Sequence, residues 1–284
     1  MRPVLLIHGG AGKERSPEVR AQIAVELQRI AEEAWVLLKE GASALDVVVT
    51  ATERLEAQPL FNAGTGSKLQ EDGAARLSAS LMDGSIERFS GVVNVEGLAH
   101  PIHLCRHLLD EKDRVLAGQG ALTRGRELKL KEADVRTPAT IAQWKAGQAG
   151  QTGTVGAVAL DTQGRLAAAT STGGRGMERV GRVSDSCTVA GNYANPTGAV
   201  SCTGIGEDIV DGALAVRLVT AIEHGAPMHE ASTRLQERMS RHGWAAGLIA
   251  LDHTGAWATP HTTTRLYWHA VDDGVHHHFH HAQG

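Results

Sequence analysis

The stretch QTGTVGAVALDTQGRLAAATST, residues 151–172, limits the fold of this chain more than any other. It reads as two buried strands, TVGAVALD and LAAATST, joined by a tight turn at Thr162-Gln163-Gly164. Side chains alternate along a strand, so Thr170 and Thr172 share one face of the second. Thr154 heads the first strand, directly after Gly153. Threonine is a poor nucleophile until a base takes its proton, and its own α-amine is such a base once the chain is cut in front of it. Gly153 suits a cut, because it leaves its carbonyl unshielded and tolerates a strained backbone. Thr154 Oγ would attack that carbonyl, the shift of the acyl group from nitrogen to oxygen would free the amine, and water would then hydrolyse the ester to free the hydroxyl. Taken alone, a Gly-Thr step is an ordinary strand start, since β-branched threonine favours strands.

Strand and helix patterns fill the rest of the chain. PVLLIHGG is a buried strand ending in a glycine turn. Ser16 caps a helix with Pro17 in its first position and Ile23, Leu27, Ile30 and Ala34 at helical spacing, stopping near Gly41. Ser43 caps a second helix through roughly Ala57. PLFNAGTGSKL is a glycine-bearing loop leading to strands in AARLSASLMDG and FSGVVNVEG, a short helix around Pro101 to Glu111, and the strand RVLAG. Residues 121–150 begin helical and turn polar, and KAGQAGQTG reads as a flexible linker open to cleavage. Beyond the hairpin come the strand and loop AVSCTGIGE, helices at about 207–224 and 227–242, and the strand-like runs GLIALD, GAWATP and RLYWHAV.

A chain of 284 residues fits one large domain or two small ones and can bury a large core. Its net charge of −4 gives no basic footprint for nucleic acid. The N-terminal apolar run of about five residues is far short of the ~20 that span a membrane, and shorter than a signal peptide's core. Cys105, Cys187 and Cys202 are too few and too scattered for a disulfide framework or a zinc cluster, so a cytoplasmic setting is expected. His276, His277, His278, His280 and His281 read as a solvated tail with adventitious metal affinity, and His8 as a packed strand-end residue.

Seven motifs carry a resemblance: IHGGAG (7–12), PLFNAGTGS (59–67), LMDG (81–84), GTVGAVALD (153–161), AAATSTGG (167–174), GRVSDS (181–186) and SCTGIGE (201–207). In this order they resemble those of the plant-type L-asparaginases/isoaspartyl peptidases, which are N-terminal nucleophile hydrolases. The similarity runs over about residues 4–270. It implies an α+β fold, a four-layer αββα sandwich, as one domain over 1–284 that cuts itself into an α subunit (1–153) and a β subunit (154–284). Two such αβ units would pair as a heterotetramer. The implied reaction is hydrolysis of L-asparagine and of β-aspartyl dipeptides, with no nucleic-acid or membrane partner. Thr154 would be the nucleophile, with Thr172 orienting it and Thr170 a weaker candidate. Arg182 would hold the substrate's α-carboxylate and Asp185 its α-ammonium, a pairing of planar guanidinium and carboxylate with the opposite charges. Thr203 and Gly204 match the oxyanion hole, and Asn62 an amide that supports the nucleophile. No cofactor is implied for catalysis. The carbonyls of Leu55, Glu56, Gln58, Phe61, Ala63 and Thr65 align with a loop that holds a structural sodium ion in relatives.

Three departures stand out. Gly118-Gln119-Gly120-Ala121 replaces the relatives' GEGA, His261-Thr262 replaces NT, and the linker before Thr154 is short. None removes a catalytic group. Two rival readings use the same scaffold: a glycosylasparaginase, for which a signal peptide and disulfides are expected, and an uncut, non-catalytic binding protein.

Overall fold

The computed structural model describes residues 1–148 and 153–279. The centre of the expected linker, and His280 and His281, lie outside the described residues. The first half runs β1 (Val4–Gly12), α1 (Pro17–Lys39), α2 (Ala44–Glu56), β2 (Leu77–Asp83), β3 (Arg88–Val95), α3 (Pro101–Leu108), β4 (Val115–Ala117), α4 (Gly118–Glu127) and α5 (Pro138–Lys145). The second runs β5 (Val155–Leu160), β6 (Leu166–Thr172), β7 (Asn192–Asn195), β8 (Gly198–Gly204), α6 (Gly206–Gly212), α7 (Leu214–Glu223), α8 (Met228–His242), β9 (Ala246–Asp252), β10 (Trp257–Ala258), β11 (Arg265–Asp272) and β12 (Val275–His278). The expected caps are in place: Ser16 Oγ accepts the Val19 N–H and Ser43 Oγ the Asp46 N–H.

Among the described residues the strands form two sheets, one of eight in the order β12-β11-β1-β5-β6-β2-β3-β4 and one of four, β10-β9-β8-β7. This is a mixed α/β fold. Helices α1 and α2 pack on the large sheet, α2 against β5 and β6. Strands β8 and β9 lie against β1, β5 and β6, and α7 covers β7 and β8. The small sheet divides its side chains by parity. Ala199, Ile249 and Leu251 join the core shared with the large sheet, whereas Val200, Cys202, Leu248 and Ala250 join the core under α7 and α8. Ser201 and Thr203 have the parity of Ala199, so β8 turns two hydroxyls toward the large sheet. There β5 and β6 pair with Gly156 opposite Thr170. A Cβ on Gly156 would lie 2.0 Å from Ser201 Oγ, so the sheets approach too closely here for any side chain.

The structure corrects the sequence reading in three places. The helix expected over 207–224 is two helices, α6 and α7, broken at Ala213 in the left-handed region (φ 47°). One tertiary and one local contact flank the break: the Ala215 N–H donates to the Ala190 carbonyl at 2.9 Å, and Arg217 Nε donates to Gly212 O at 2.9 Å. Strand β7 is an additional short partner of β8. His276–His278 are not a solvated tail but part of β12, paired with β11 so that His276 faces Val271 and His278 faces His269. The turn between them carries Asp273 (φ 51°) and Gly274 (φ 83°), the Asp-Gly pair that tight hairpins favour. His269 and His276 approach at 3.0 Å (Nε2 to Nδ1). Among the described residues no group of three or more His, Cys, Asp or Glu side chains is arranged to hold a metal ion. No described helix is long and apolar enough to cross a membrane. The three cysteines are buried and unpaired.

Candidate active site

Thr154 lies at the N-terminal end of β5, only 7% exposed, and its Oγ1 donates to Thr172 Oγ1 at 2.9 Å. Thr172 Oγ1 also accepts the Gly174 N–H at 3.2 Å, which fixes the acceptor in place. The Gly153 carbonyl accepts the Asn62 backbone N–H at 3.1 Å. Gly153 threads through a gap with no spare room, since a Cβ on Gly10 (φ 114°) would lie 2.6 Å from its Cα. Asn62 is held on every side: its Oδ1 accepts the Lys68 N–H, its carbonyl accepts the Gly173 N–H, and its Nδ2 donates to Gly174 O. The amide therefore ties the loop after α2 to the end of β6.

Thr170 does not bond Thr154. Its hydroxyl meets Ser201 Oγ at 2.6 Å and donates to Asn192 Oδ1 at 3.2 Å, while Ser201 Oγ meets His8 Nε2 at 2.9 Å. His8, with no exposed surface, reaches the Thr154 main chain, and burial pushes its ring down to about 3, so it is neutral at pH 7. On the opposite face of β6, Ser171 Oγ donates to the buried Glu56 carboxylate at 2.6 Å, and His100 Nδ1 lies 3.4 Å from the same group. Burial raises Glu56 above the usual carboxylate range. Strand β6 is thus pinned by polar groups on both faces at the turn that carries Thr172.

Arg182 and Asp185 converge beside Gly206, where an added Cβ would meet Arg182 Nη2 at 2.6 Å and Asp185 Oδ1 at 2.8 Å. Arg182 forms a two-pronged pair with Glu207, Nε to Oε1 at 2.7 Å and Nη2 to Oε2 at 3.0 Å. The Arg182 hydrogen bonds hold the Glu207 carboxyl down to about 2. The pair uses one edge of a five-donor guanidinium and leaves the rest for another anion. Asp185 is buried; its Oδ2 has no hydrogen-bond partner among the described residues, and Oδ1 accepts Ser184 Oγ at 3.1 Å. Desolvation raises its carboxyl to about 6, against the Ser184 bond and the Arg182 charge. Thr203 Oγ1 accepts the Ala11 N–H at 3.1 Å, which joins β8 to the glycine turn of β1. Gly204 (φ 144°) permits a close approach, since a Cβ there would lie 2.4 Å from Ala245 O. Gly204, Gly206 and Glu207 line a cleft of about 510 Å³.

A family model described as asparaginase matches residues 1–152 and 145–280 of this chain. The chain belongs to the asparaginase family. Within it the chain is similar to a protein of Synechocystis sp. named isoaspartyl peptidase/L-asparaginase, 41% identical over 278 residues that cover 90% of this chain and 84% of the relative. The human protein of the same name is 37% identical over 291 residues, 96% of this chain and 94% of its own. A Nostoc sp. protein, again so named, is 41% identical over 281 residues, 91% and 88% of the two chains. Membership makes the chain a hydrolase, and each site residue named for the family lies in the described structure.

The six carbonyl residues of the sodium expectation sit where α2 ends and the chain curls back. The Thr65 N–H donates to Glu56 O at 2.8 Å and the Phe61 N–H to Gln58 O at 3.1 Å. Gly64 (φ 53°) makes the fold-back possible, since a Cβ there would lie 2.4 Å from Glu56 O. Main-chain carbonyls near the negative end of a helix are of the donor type that suits a hard cation, and three of the six, on Leu55, Glu56 and Gln58, already accept main-chain N–H groups. Two functional neighbours escaped the sequence reading. Glu207, which holds Arg182, was visible as the last residue of SCTGIGE but carried no assigned role. The contacts of His8 had no local signal, because its partner Ser201 lies 193 positions away.

Proposed function

We propose that Thr154 first cuts the chain at Gly153 and then hydrolyses the side-chain amide of L-asparagine and the isopeptide bond of β-aspartyl dipeptides. The observation that carries this reading is the pair of contacts at one bond: Thr154 Oγ1–H on Thr172, and the Asn62 N–H on the Gly153 carbonyl. The hydroxyl is positioned and the carbonyl polarised, which favours attack on that carbon and stabilises the negative charge that develops on its oxygen. While the chain is continuous, Gly153 fills the space beside Thr154, so cutting must precede turnover. The freed α-amine, with a reference pKa of about 8, then serves as base to its own hydroxyl. The aspartyl head lies with its α-carboxylate on Arg182 and its α-ammonium on Asp185. Thr203 and Gly204 receive the oxyanion.

The packing of α1 and α2, the large sheet, the small sheet and α7 supports a four-layer αββα order. A pair of αβ units is the assembly proposed, and the buried free thiols suit a cytoplasmic setting. Leu55, Glu56, Gln58, Phe61, Ala63 and Thr65 would hold a sodium ion through their carbonyls. Such an ion supplies no chemistry to the reaction; it braces the loop that carries Asn62. Catalysis as drawn uses no cofactor.

Purified protein incubated with L-asparagine and with β-Asp-Leu is expected to release aspartate from both. A single intact band that releases none would favour the non-catalytic rival. The pH dependence tests the head site separately. Asp185 must be ionised to hold an ammonium, and its carboxyl stands at about 6, so affinity for the product L-aspartate should be level above that pH. Below it, affinity should fall about tenfold per unit, the slope of a single proton. Calorimetric titration across pH 4.5–7.5 reads this, and a constant affinity down to about pH 4.5 would remove Asp185 from its role.

A further inference from the structure

A second cleft, about 750 Å³, reaches the Gly153–Thr154 bond from its Gly153 side and is lined there by Asn62 and Gly153. It shares Gly12 and Lys13 with the cleft that holds Gly204 and Gly206, so the two adjoin there. Three cations line it, Lys13, Arg15 and Lys68, and among the described residues no Asp or Glu does. The carboxylate nearest in sequence, Glu14, is engaged by Arg20 and Arg265. Lys68 is the singular member. It is 9% exposed, and its Nζ has no hydrogen-bond partner among the described residues. A buried ammonium without a hydrogen-bond partner is costly, and burial together with the Arg15 charge lowers it to about 7, against the attraction of the buried Glu178 carboxylate. Its backbone N–H is fixed on Asn62 Oδ1 at 2.9 Å, so the side chain starts from the rigid loop beside the scissile bond.

Given the reading above of an aspartyl head on Arg182 and Asp185, a group attached beyond the reacting carbonyl has this adjoining cleft, which begins at Gly12, Lys13 and Gly153, open to it. We propose that it is the subsite for the leaving amino acid of a β-aspartyl dipeptide, with Lys68 and Arg15 holding that residue's free α-carboxylate. The leaving group of L-asparagine is ammonia, which carries no such group, so this subsite favours dipeptides. After self-cleavage the new carboxylate of Gly153 offers the same chemistry from a second source, and the test separates the two.

The comparison is between β-Asp-Leu and its C-terminal amide, β-Asp-Leu-NH2, which differ only in that charge, with processed enzyme. KM for the amide is expected to exceed KM for the acid by about ten- to a hundredfold, the range for a hydrogen bond to a charged group. In Lys68→Met the ratio should collapse toward one, and in Arg15→Gln it should fall part of the way. Equal KM values for the two substrates in wild-type enzyme would overturn the proposal, and are the result expected if Gly153 occupies the cations. An unchanged ratio in a folded Lys68→Met variant would overturn the role of Lys68. Should that variant fail to fold, the wild-type ratio still decides whether the subsite exists. Turnover of either substrate sustains the hydrolase reading whatever the ratio; no turnover of either removes both.

Discussion

Thr154→Ala is expected to leave the chain in one piece and to lose turnover on the order of 10⁶-fold, the loss that follows removal of a catalytic nucleophile. Both effects come from one hydroxyl. In the continuous chain Thr154 Oγ1 is aimed by Thr172, and the carbonyl beside it is held by the Asn62 N–H. The methyl group of threonine limits χ1 and so fixes the direction of that oxygen. Thr154→Cys, which keeps a nucleophile but not the methyl group, should retain some cutting and turn over poorly. A gel run beside an aspartate-release assay reads both reactions. A Thr154→Ala protein that still splits at Gly153, or still releases aspartate, would place the nucleophile elsewhere.

Arg182→Ala should lower kcat/KM for both substrates by an amount worth about 3–5 kcal/mol, the usual cost of stranding one member of a buried charge pair. The loss should be carried mainly by KM, because the α-carboxylate is bound in ground state and transition state alike. Self-cleavage should proceed, since the precursor presents no α-carboxylate. Glu207 would lose its only ion-pair partner among the described residues, and its carboxyl should return from about 2 toward the ordinary range. Arg182→Lys keeps the charge but not the fork, and should recover only part of the loss. A variant with wild-type KM for L-asparagine would remove Arg182 from the head site.

The parts of this site legible in the sequence are those set by short-range periodicity. Period-two alternation put Thr170 and Thr172 on one face of β6, and the Gly-Thr step placed Thr154 at the head of β5. The caps at Ser16 and Ser43 were equally local. The family resemblance then supplied Arg182, Asp185, Thr203, Gly204 and Asn62, which no spacing rule would have joined. Illegible were features decided between distant segments. Ala213 adopts a left-handed conformation beside the bonds of Ala215 to Ala190 and of Arg217 to Gly212, so helical propensity alone carried the expected helix straight through it. Strand β12 was hidden by its histidines, although the Asp-Gly turn before it was a usable signal. The difference between Thr172, which meets Thr154, and Thr170, which meets Ser201 and Asn192, is set by partners from other segments. Lys68 reads in sequence as an ordinary polar loop residue, and only burial beside Asn62 gives it chemistry.

The most direct test of the central claim is the intact mass and N-terminal sequence of purified, active protein. Expected are two chains, one ending at Gly153 and one whose first residue is Thr154. An active sample that contains only the continuous chain, or a second chain that begins at any other residue, would contradict it.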